Sequence, residues 1–134
     1  GNLGTIVRSC LGFGVKDIAI VGPKAADPFD PKTIRASMGA CASVRIEVIE
    51  RFEHYAGRFP ENKLYPFMLD GSTKLQDTTI QKPFSLIMGN EATGLDPLFK
   101  DIGQPIRIEH SSDIDSLNIT IAASIGLYEA TKAC

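Results

Sequence analysis

Five polar side chains at the predicted ends of helices and strands have the types needed to bind and orient a polar ligand: Asn2, Arg8, Glu91, Ser116 and Asn118. Asparagine and serine donate and accept hydrogen bonds, arginine is a permanent cation with several donors, and glutamate accepts hydrogen bonds or a proton. Each also has a structural explanation, as a helix cap, a solvated surface charge, a lysine partner or a polar residue at a helix start. Taken singly, each residue favours the structural explanation, whereas the five together indicate a functional site.

The loops after three predicted strands contain glycine, at residues 22–23, 69–71 and 89–94. In open parallel sheets, ligands bind beyond the carboxyl ends of the strands, where loops expose backbone N–H groups. The usual nucleotide fingerprints do not fit, because the glycines of residues 12–14 precede a strand and residues 71–74 lack the glycine–lysine order of a phosphate loop. Dinucleotide and ATP binding are therefore disfavoured.

Nucleophilic and metal chemistry are also disfavoured. No serine stands in a Gly-x-Ser-x-Gly motif, and Cys10 lies on an apolar helix stripe. With His54 and His110 as the two histidines of the chain, a metal-ligand cluster is not expected. The three cysteines, Cys10, Cys41 and Cys134, form no Cys-x-x-Cys pair and indicate reduced thiols rather than a disulfide framework.

The hydrophobic pattern predicts strands alternating with helices. The predicted helices cover residues 2–11, 30–38, 48–59 and 116–132, with a helical turn at 97–100, and the predicted strands cover residues 17–22, 44–48, 64–69, 84–88 and 105–109. This order predicts an α/β fold with a mostly parallel sheet flanked by helices. Pro66 favours an edge position for its strand. The last helix is apolar on both sides, so we expect it to be buried all round or packed on another subunit.

Composition bounds the class of protein. The 134 residues are 43% hydrophobic and 22% charged with a formal net charge of −2, as in a single globular domain with its own core. The longest apolar run, residues 119–127, is about half of the ~20 residues that a membrane-spanning helix needs, so we expect a cytoplasmic protein without a membrane partner. A pI near 5.6 argues against sequence-blind nucleic-acid binding.

Three motifs, in order and in register, resemble those of the SpoU/TrmH family of RNA ribose methyltransferases, of the SPOUT class. The first motif is NLGTIVRS at residues 2–9, the second is LIMGNEATGL at 86–95, and the third is DSLNITIA at 115–122. The segment RASMGA at 35–40 is similar to a recurrent stretch between the first two. The resemblance spans almost the whole chain.

The resemblance implies a fold, a cofactor and an assembly. The C-terminal segment would be threaded through a loop to form a deep trefoil knot, and the last helix would lie in a homodimer interface. S-adenosylmethionine would bind bent in the knot, held by backbone groups of the loops. The implied cofactor-binding residues are Leu69, Gly89, Asn90, Ile108, His110 and Leu117. No metal is implied.

The resemblance also implies that a ribose 2′-oxygen of tRNA or rRNA attacks the sulfonium methyl group, with Arg8 as the principal catalytic residue and Asn2, Glu91, Ser116 and Asn118 around it. Family proposals make the matching arginine the base, but a guanidinium is very hard to deprotonate. We therefore expect Arg8 to hold the RNA phosphate and to stabilise developing alkoxide charge. Glu91 would orient Arg8 or Asn2, and Asn118 would hydrogen-bond the ribose or shape the cofactor loop.

Two departures from the family pattern define the alternatives. Glu109 and His110 stand where the family usually has Pro-Met, which places charge beside the expected methionine end of the cofactor. The first motif begins at residue 2, so we expect residues 1–134 to be one SPOUT domain without its N-terminal strand or RNA-binding extension. The alternatives are a catalytically silent SPOUT domain that binds RNA or cofactor, and an unrelated α/β enzyme with chance matches.

Overall fold

The computed structural model describes residues 2–22, 44–71, 73–89, 94–111, 113 and 117–132, with the backbone alone at residues 2 and 3. The chain divides into two units, Gly1–Pro60 and Glu61–Cys134. The predicted helix at residues 30–38 lies outside the described residues. Strands and helices alternate, and every described strand pair is parallel, which confirms the predicted α/β class.

The first unit begins with helix α1, Asn2–Gly12. Its end is stabilised by two backbone hydrogen bonds, from Gly14 N to Leu11 O at 3.2 Å and from Val15 N to Cys10 O at 2.8 Å. Gly14 has a φ of 78°, the left-handed conformation that this type of helix end requires and that glycine adopts without strain. Of the two glycines that could end the predicted helix, Gly12 is its last residue and Gly14 adopts the left-handed conformation that follows it.

Strand β1, Asp17–Val21, pairs in parallel with β2, Arg45–Ile49, and helix α2, Phe52–Arg58, follows. Cys10 is 5% exposed, and burial raises the pKa of its thiol to about 11. The thiol is therefore protonated at neutral pH, which agrees with its interpretation as a core residue rather than a nucleophile.

The second unit contains four short strands: β3, Lys63–Pro66; β4, Thr73–Lys74; β5, Phe84–Ile87; and β6, Ile106–Arg107. β3 pairs with β5, and β4 pairs with β6. An isolated parallel bridge between Phe67 and Ile106 connects the two pairs. Strand β6 thus has the chain that follows β3 on one side and β4 on the other.

Pro66 was expected to place its strand at an edge, and β3 pairs as a strand with β5 alone. The amides of Lys63 and Phe67 donate toward the β5 side, to Pro83 O and Ile87 O, so the alternate residue Pro66 directs its nitrogen to the opposite side. On that side Gln104 N donates to Leu64 O and Met68 N donates to Ile106 O, each at 2.9 Å, so hydrogen bonds flank Pro66. Pro66 has no N–H to contribute between them, and it is the last residue of β3.

The core of the second unit forms around β6. Tyr65 and Ile106 are fully buried and Leu75 is 3% exposed, with Phe67 and Leu86 among the half-buried side chains packed against them. Residues 75–77 and 97–101 form short 3₁₀ turns. The strands are very short, so side-chain packing between them must supply much of their stability.

Helix α3, Ile119–Thr131, buries one face and exposes another. Ala123, Gly126, Leu127 and Ala130 are buried, whereas Ile121 is 52% and Tyr128 55% exposed. The described part of this helix is therefore not buried all round within the chain, and packing on another subunit, the other expectation, stays a prediction. In the part of the chain that the structure describes, no helix has both the length and the apolar character that membrane crossing demands.

Gly126 permits the close approach of α3 to the strands. A Cβ atom at this position would lie 2.7 Å from Phe67 Cζ and 3.5 Å from Leu86 Cδ1. We expect Gly126→Ala to lower the free energy of unfolding by about 1–3 kcal/mol, because the ring must move within a packed core. Gly57→Ala is the matched control, since a Cβ there has nothing within 4 Å and alanine favours the helix. Denaturant unfolding distinguishes them, and equal stability of the two variants would contradict this packing.

Candidate functional site

The carboxyl ends of three strands of the second unit lie side by side. Phe67 N donates to Ile87 O and Met68 N to Ile106 O, each at 2.9 Å, so the chain after β3 lies between the ends of β5 and β6. Leu69, Gly89 and Ile108 each come two residues beyond these positions. Because the strands are parallel, the three predicted cofactor-binding residues emerge at one edge of the sheet.

The loop of residues 69–71 is anchored by two cationic side chains. Arg107 Nη1 donates to Gly71 O at 2.6 Å, and Lys100 forms an ion pair with Asp70. The Lys100 ammonium holds the pKa of the Asp70 carboxyl below its usual value, so Asp70 is ionised at neutral pH. Between these anchors and β3, Leu69 is 66% exposed. The loop therefore presents an apolar side chain and its own backbone at the edge.

Gly71 and Gly89 both lie too close to neighbouring backbone for any larger residue. A Cβ on Gly71 would be 2.8 Å from the carbonyl carbon of Ile106, and one on Gly89 would be 2.3 Å from that of Gly94. Gly89 and Gly94, which flank residues 90–93, are therefore in close backbone contact. Asn90 and Glu91 belong to these residues, which lie outside the described part of the chain.

The residues after β6 use their side chains within the protein. His110 Nδ1 is 3.0 Å from Ile108 O, and because a carbonyl oxygen only accepts, Nδ1 carries a hydrogen and donates it. Glu109 Oε2 lies 2.9 Å from Lys74 Nζ. Lys74 lowers the pKa of Glu109, with a smaller contribution from Arg107. The charge that departs from the family pattern is therefore compensated by a cation of the same unit.

Asn118 caps helix α3. Its Oδ1 accepts a hydrogen bond from Thr120 N at 2.8 Å and another from the Thr120 hydroxyl. The structural explanation of this residue is thus confirmed, and its side chain is fixed in orientation by the helix start. Leu117, directly before it, is half-buried, and Ser116 lies outside the described residues.

Arg8 lies on α1 in the first unit, with an exposed side chain that forms no hydrogen bond or ion pair with the described residues. Asn2 is in the first turn of the same helix, and its side chain is not among those described. The strand-end residues lie together in the second unit, whereas Arg8 belongs to the first unit. Among the described residues, no three His, Cys, Asp or Glu side chains group as metal ligands.

Three residues around the edge were not anticipated from the sequence: Lys74, Lys100 and Arg107. Each contacts a residue that is distant in the chain, such as Gly71, which lies 36 positions before Arg107. One signal was available, because Arg107 is a cation between two isoleucines in a predicted strand and must point away from the core.

Comparison with known proteins identifies a family. The family model described as the SpoU rRNA Methylase family matches residues 1–128. The 23S rRNA (guanosine(2553)-2′-O)-methyltransferase RlmP of Bacillus subtilis is 30% identical over 132 residues, which are 96% of this chain and 52% of that protein.

Two solved structures with S-adenosylmethionine (AdoMet) are similar. The AdoMet-bound rRNA methyltransferase of Sinorhizobium meliloti is 34% identical with a TM-score of 0.82, over 98% of this chain and 51% of that one. The SpoU methyltransferase AviRb of Streptomyces viridochromogenes, in complex with AdoMet, is 27% identical with a TM-score of 0.83, over 98% and 55%. The chain spans about half the length of the curated relatives it matches, such as RlmP at 52%.

Proposed function

Because the chain belongs to the SpoU rRNA Methylase family, we propose that it is the methyl-transferring domain of an AdoMet-dependent enzyme that methylates a ribose 2′-hydroxyl of tRNA or rRNA. The observation that carries the proposal is the edge at which β3, β5 and β6 end together, with glycines at two close backbone approaches. A similar protein is named as an rRNA 2′-O-methyltransferase, and a similar rRNA methyltransferase is AdoMet-bound in its structure.

The residues at this edge fit a cofactor that is recognised through the backbone. Leu69, Gly89, Ile108 and Leu117 have no polar side-chain atom to offer, so a polar ligand here must meet main-chain N–H and C=O groups. His110 uses Nδ1 internally, which leaves Nε2 as its ligand-facing nitrogen. Together with Asn90, these are the residues that we propose hold AdoMet. When bound, AdoMet supplies an electrophilic methyl group on a sulfonium centre.

The chain's own residues must orient the ribose and handle one proton. Arg8, a permanent cation with an exposed side chain, binds an RNA phosphate and stabilises charge that develops on the attacking 2′-oxygen. Asn118 uses Oδ1 as a helix cap, so its amide Nδ2 is the group that donates to the ribose. Asn2, Glu91 and Ser116 complete the proposed site, with Glu91 orienting Arg8 or Asn2.

We propose that the C-terminal part of the chain is threaded in a trefoil knot. The support comes from β6, which lies between the chain after β3 and strand β4, and is parallel to both. Residues 67 and 73 both pair with Ile106, so the short segment between them must cross from one side of β6 to the other. A strand that enters between two already connected segments is the arrangement expected of a threaded chain.

We also propose a homodimer through α3. Ile121, Ile125 and Tyr128 lie at helical spacing on one face and are 52%, 37% and 55% exposed. Such a stripe is typical of an interface, since a second copy of α3 would cover the same apolar residues.

The variant Ile125→Glu is expected to convert a dimer into a monomer, because an unpaired carboxylate would be buried at the centre of the stripe. The molar mass measured by light scattering should fall by half. Leu98→Glu is the matched control, since Leu98 is 71% exposed on the 97–101 turn and should leave the mass unchanged. A dimeric Ile125→Glu protein would contradict the proposed interface.

The cofactor part of the proposal is tested by calorimetric titration of the chain with S-adenosylhomocysteine, the reaction product. Saturable binding at one site per chain is the expected result. Absence of binding by a folded dimer would reject the proposed cofactor site and favour the alternative of a catalytically silent SPOUT domain.

A further inference from the structure

A hydrogen bond from a side chain of β6 holds the loop of residues 69–71 against that strand. Gly71 is buried and approaches Ile106 so closely that a Cβ would be 2.8 Å from its carbonyl carbon. At this approach, the carbonyl oxygen of Gly71 accepts from Arg107 Nη1 at 2.6 Å. A hydrogen bond from a charged donor in a partly buried position is stronger than a neutral one.

The Arg107 guanidinium also faces the carboxylate of Glu109, which pairs with Lys74. Glu109 Oε2 lies 4.0 Å from Arg107 Nη2 and 2.9 Å from Lys74 Nζ, so one carboxylate joins the two cations. The backbone pairing of β4 with β6 is only two residue pairs long, Thr73 with Ile106 and Lys74 with Arg107. Side-chain contacts of Lys74, Arg107 and Glu109, here called the clasp, therefore reinforce a very short ladder.

The middle residue of the loop, Asp70, forms an ion pair with Lys100, so Leu69 lies between β3 and two anchored residues. A loop that is fixed before its ligand arrives loses less conformational freedom on binding, and affinity rises accordingly. The anchored segment contains Leu69, which belongs to the proposed cofactor site.

We propose that Arg107 is a positioning residue for the cofactor site, which fixes the backbone of residues 69–71 through Gly71 O and is itself aligned by Glu109 and Lys74. The inference rests on the proposed function for its ligand, whereas the contacts of Arg107 are formed within the chain itself. It also gives Glu109 a structural purpose, as the residue that joins the two cations rather than a group that faces the cofactor.

The exposure of each side chain determines how much its substitution is expected to weaken cofactor binding. The Arg107 side chain is 31% exposed, whereas those of Lys74 and Glu109 are 38% and 49% exposed, where ion pairs contribute little. Arg107→Met, which keeps the aliphatic stem, is expected to weaken S-adenosylhomocysteine binding about tenfold. Glu109→Gln is expected to weaken it about threefold.

The experiment pairs calorimetry with hydrogen exchange of the ligand-free protein, followed by mass spectrometry. In Arg107→Met, exchange should be faster in peptides that cover residues 69–71 and unchanged in those that cover β1 and β2. Arg45→Met is the matched control, because Arg45 is 82% exposed in an ion pair with Asp17 of the first unit. It should change neither affinity nor exchange at residues 69–71.

Unchanged exchange at residues 69–71 together with an affinity within twofold of the parent would overturn the proposal. If the parent chain does not bind S-adenosylhomocysteine, the proposed function fails, and exchange alone then decides the clasp. If Arg107→Met does not fold, Glu109→Gln decides instead: faster exchange at residues 69–71 supports the clasp, and unchanged exchange contradicts it.

Discussion

Gly89→Ala is expected to weaken S-adenosylhomocysteine binding by at least about thirtyfold, which corresponds to about 2 kcal/mol. The added Cβ would lie 2.3 Å from Gly94 C, 2.5 Å from Leu95 N and 2.8 Å from Gly94 O. All three are backbone atoms, so no side-chain rotation relieves the clash, and the backbone at residue 89 must move away from Gly94. Calorimetry of the purified variant measures the loss.

Alanine variants of two other glycines serve as comparisons for Gly89→Ala. Gly94→Ala meets no atom within 4 Å but has a φ of 69°, so it should weaken binding only about fivefold through backbone strain. Gly57→Ala, in open space on α2, should leave affinity unchanged. A folded Gly89→Ala protein whose dissociation constant lies within twofold of the parent's would contradict the role of this backbone contact in the site.

Arg8→Ala is expected to lower the rate of methyl transfer by at least about a hundredfold while leaving S-adenosylhomocysteine affinity unchanged. The proposed partners of the guanidinium are the RNA phosphate and the developing alkoxide, neither of which belongs to the cofactor. Its side chain is exposed on α1, so the substitution removes no packing that α1 needs. Single-turnover kinetics with saturating cofactor measure the rate.

Arg45→Ala is the control for Arg8→Ala, because it removes the same charge from an exposed position of the same unit. It should retain the parent's rate within about threefold, as expected of an exposed ion pair. Retained turnover in Arg8→Ala would refute the assigned role, and loss of cofactor binding in that variant would place Arg8 in the cofactor site instead.

Local patterns in the sequence predicted most of the elements because each is determined by nearby residues. The apolar spacing of residues 2–11 and the glycine at 14 specify α1 and its end, and the alternation around Ile46 specifies β2. Strand β4 was not predicted, because two residues carry no period. The last helix was predicted three residues too long at its start, since Asn118 ends up as its cap.

The order of the strands could not be predicted from local sequence patterns. Pro66 indicated an edge, and β3 pairs as a strand with β5 alone, yet Leu64 O and Met68 N form hydrogen bonds with Gln104 and Ile106 on the other side. Pairing on that side involves residues about 40 positions later in the chain. The spacing of residues in the sequence does not predict that pairing, so the knot was expected from family resemblance alone.

The candidate site was also predicted only in part from the sequence. Leu69, Gly89 and Ile108 were placed at strand ends by their sequence context, and the structure brings them to one edge. Arg107 was missed, because its hydrogen bond to Gly71 O joins residues 36 positions apart. Glu109 was expected beside the cofactor, whereas its ion pair with Lys74 depends on the β4–β6 pairing that the sequence did not reveal.

The most direct test of the proposed activity is to incubate the protein with tRNA and rRNA and with AdoMet that carries a deuterated methyl group. The RNA is then hydrolysed to nucleosides and analysed by mass spectrometry. We expect a nucleoside whose deuterated methyl group remains with the ribose fragment. In the RNA before hydrolysis, the 3′ linkage of that nucleotide should resist alkali, because its 2′-oxygen is blocked. A label on the base, or unlabelled RNA from a protein that binds S-adenosylhomocysteine, would contradict it.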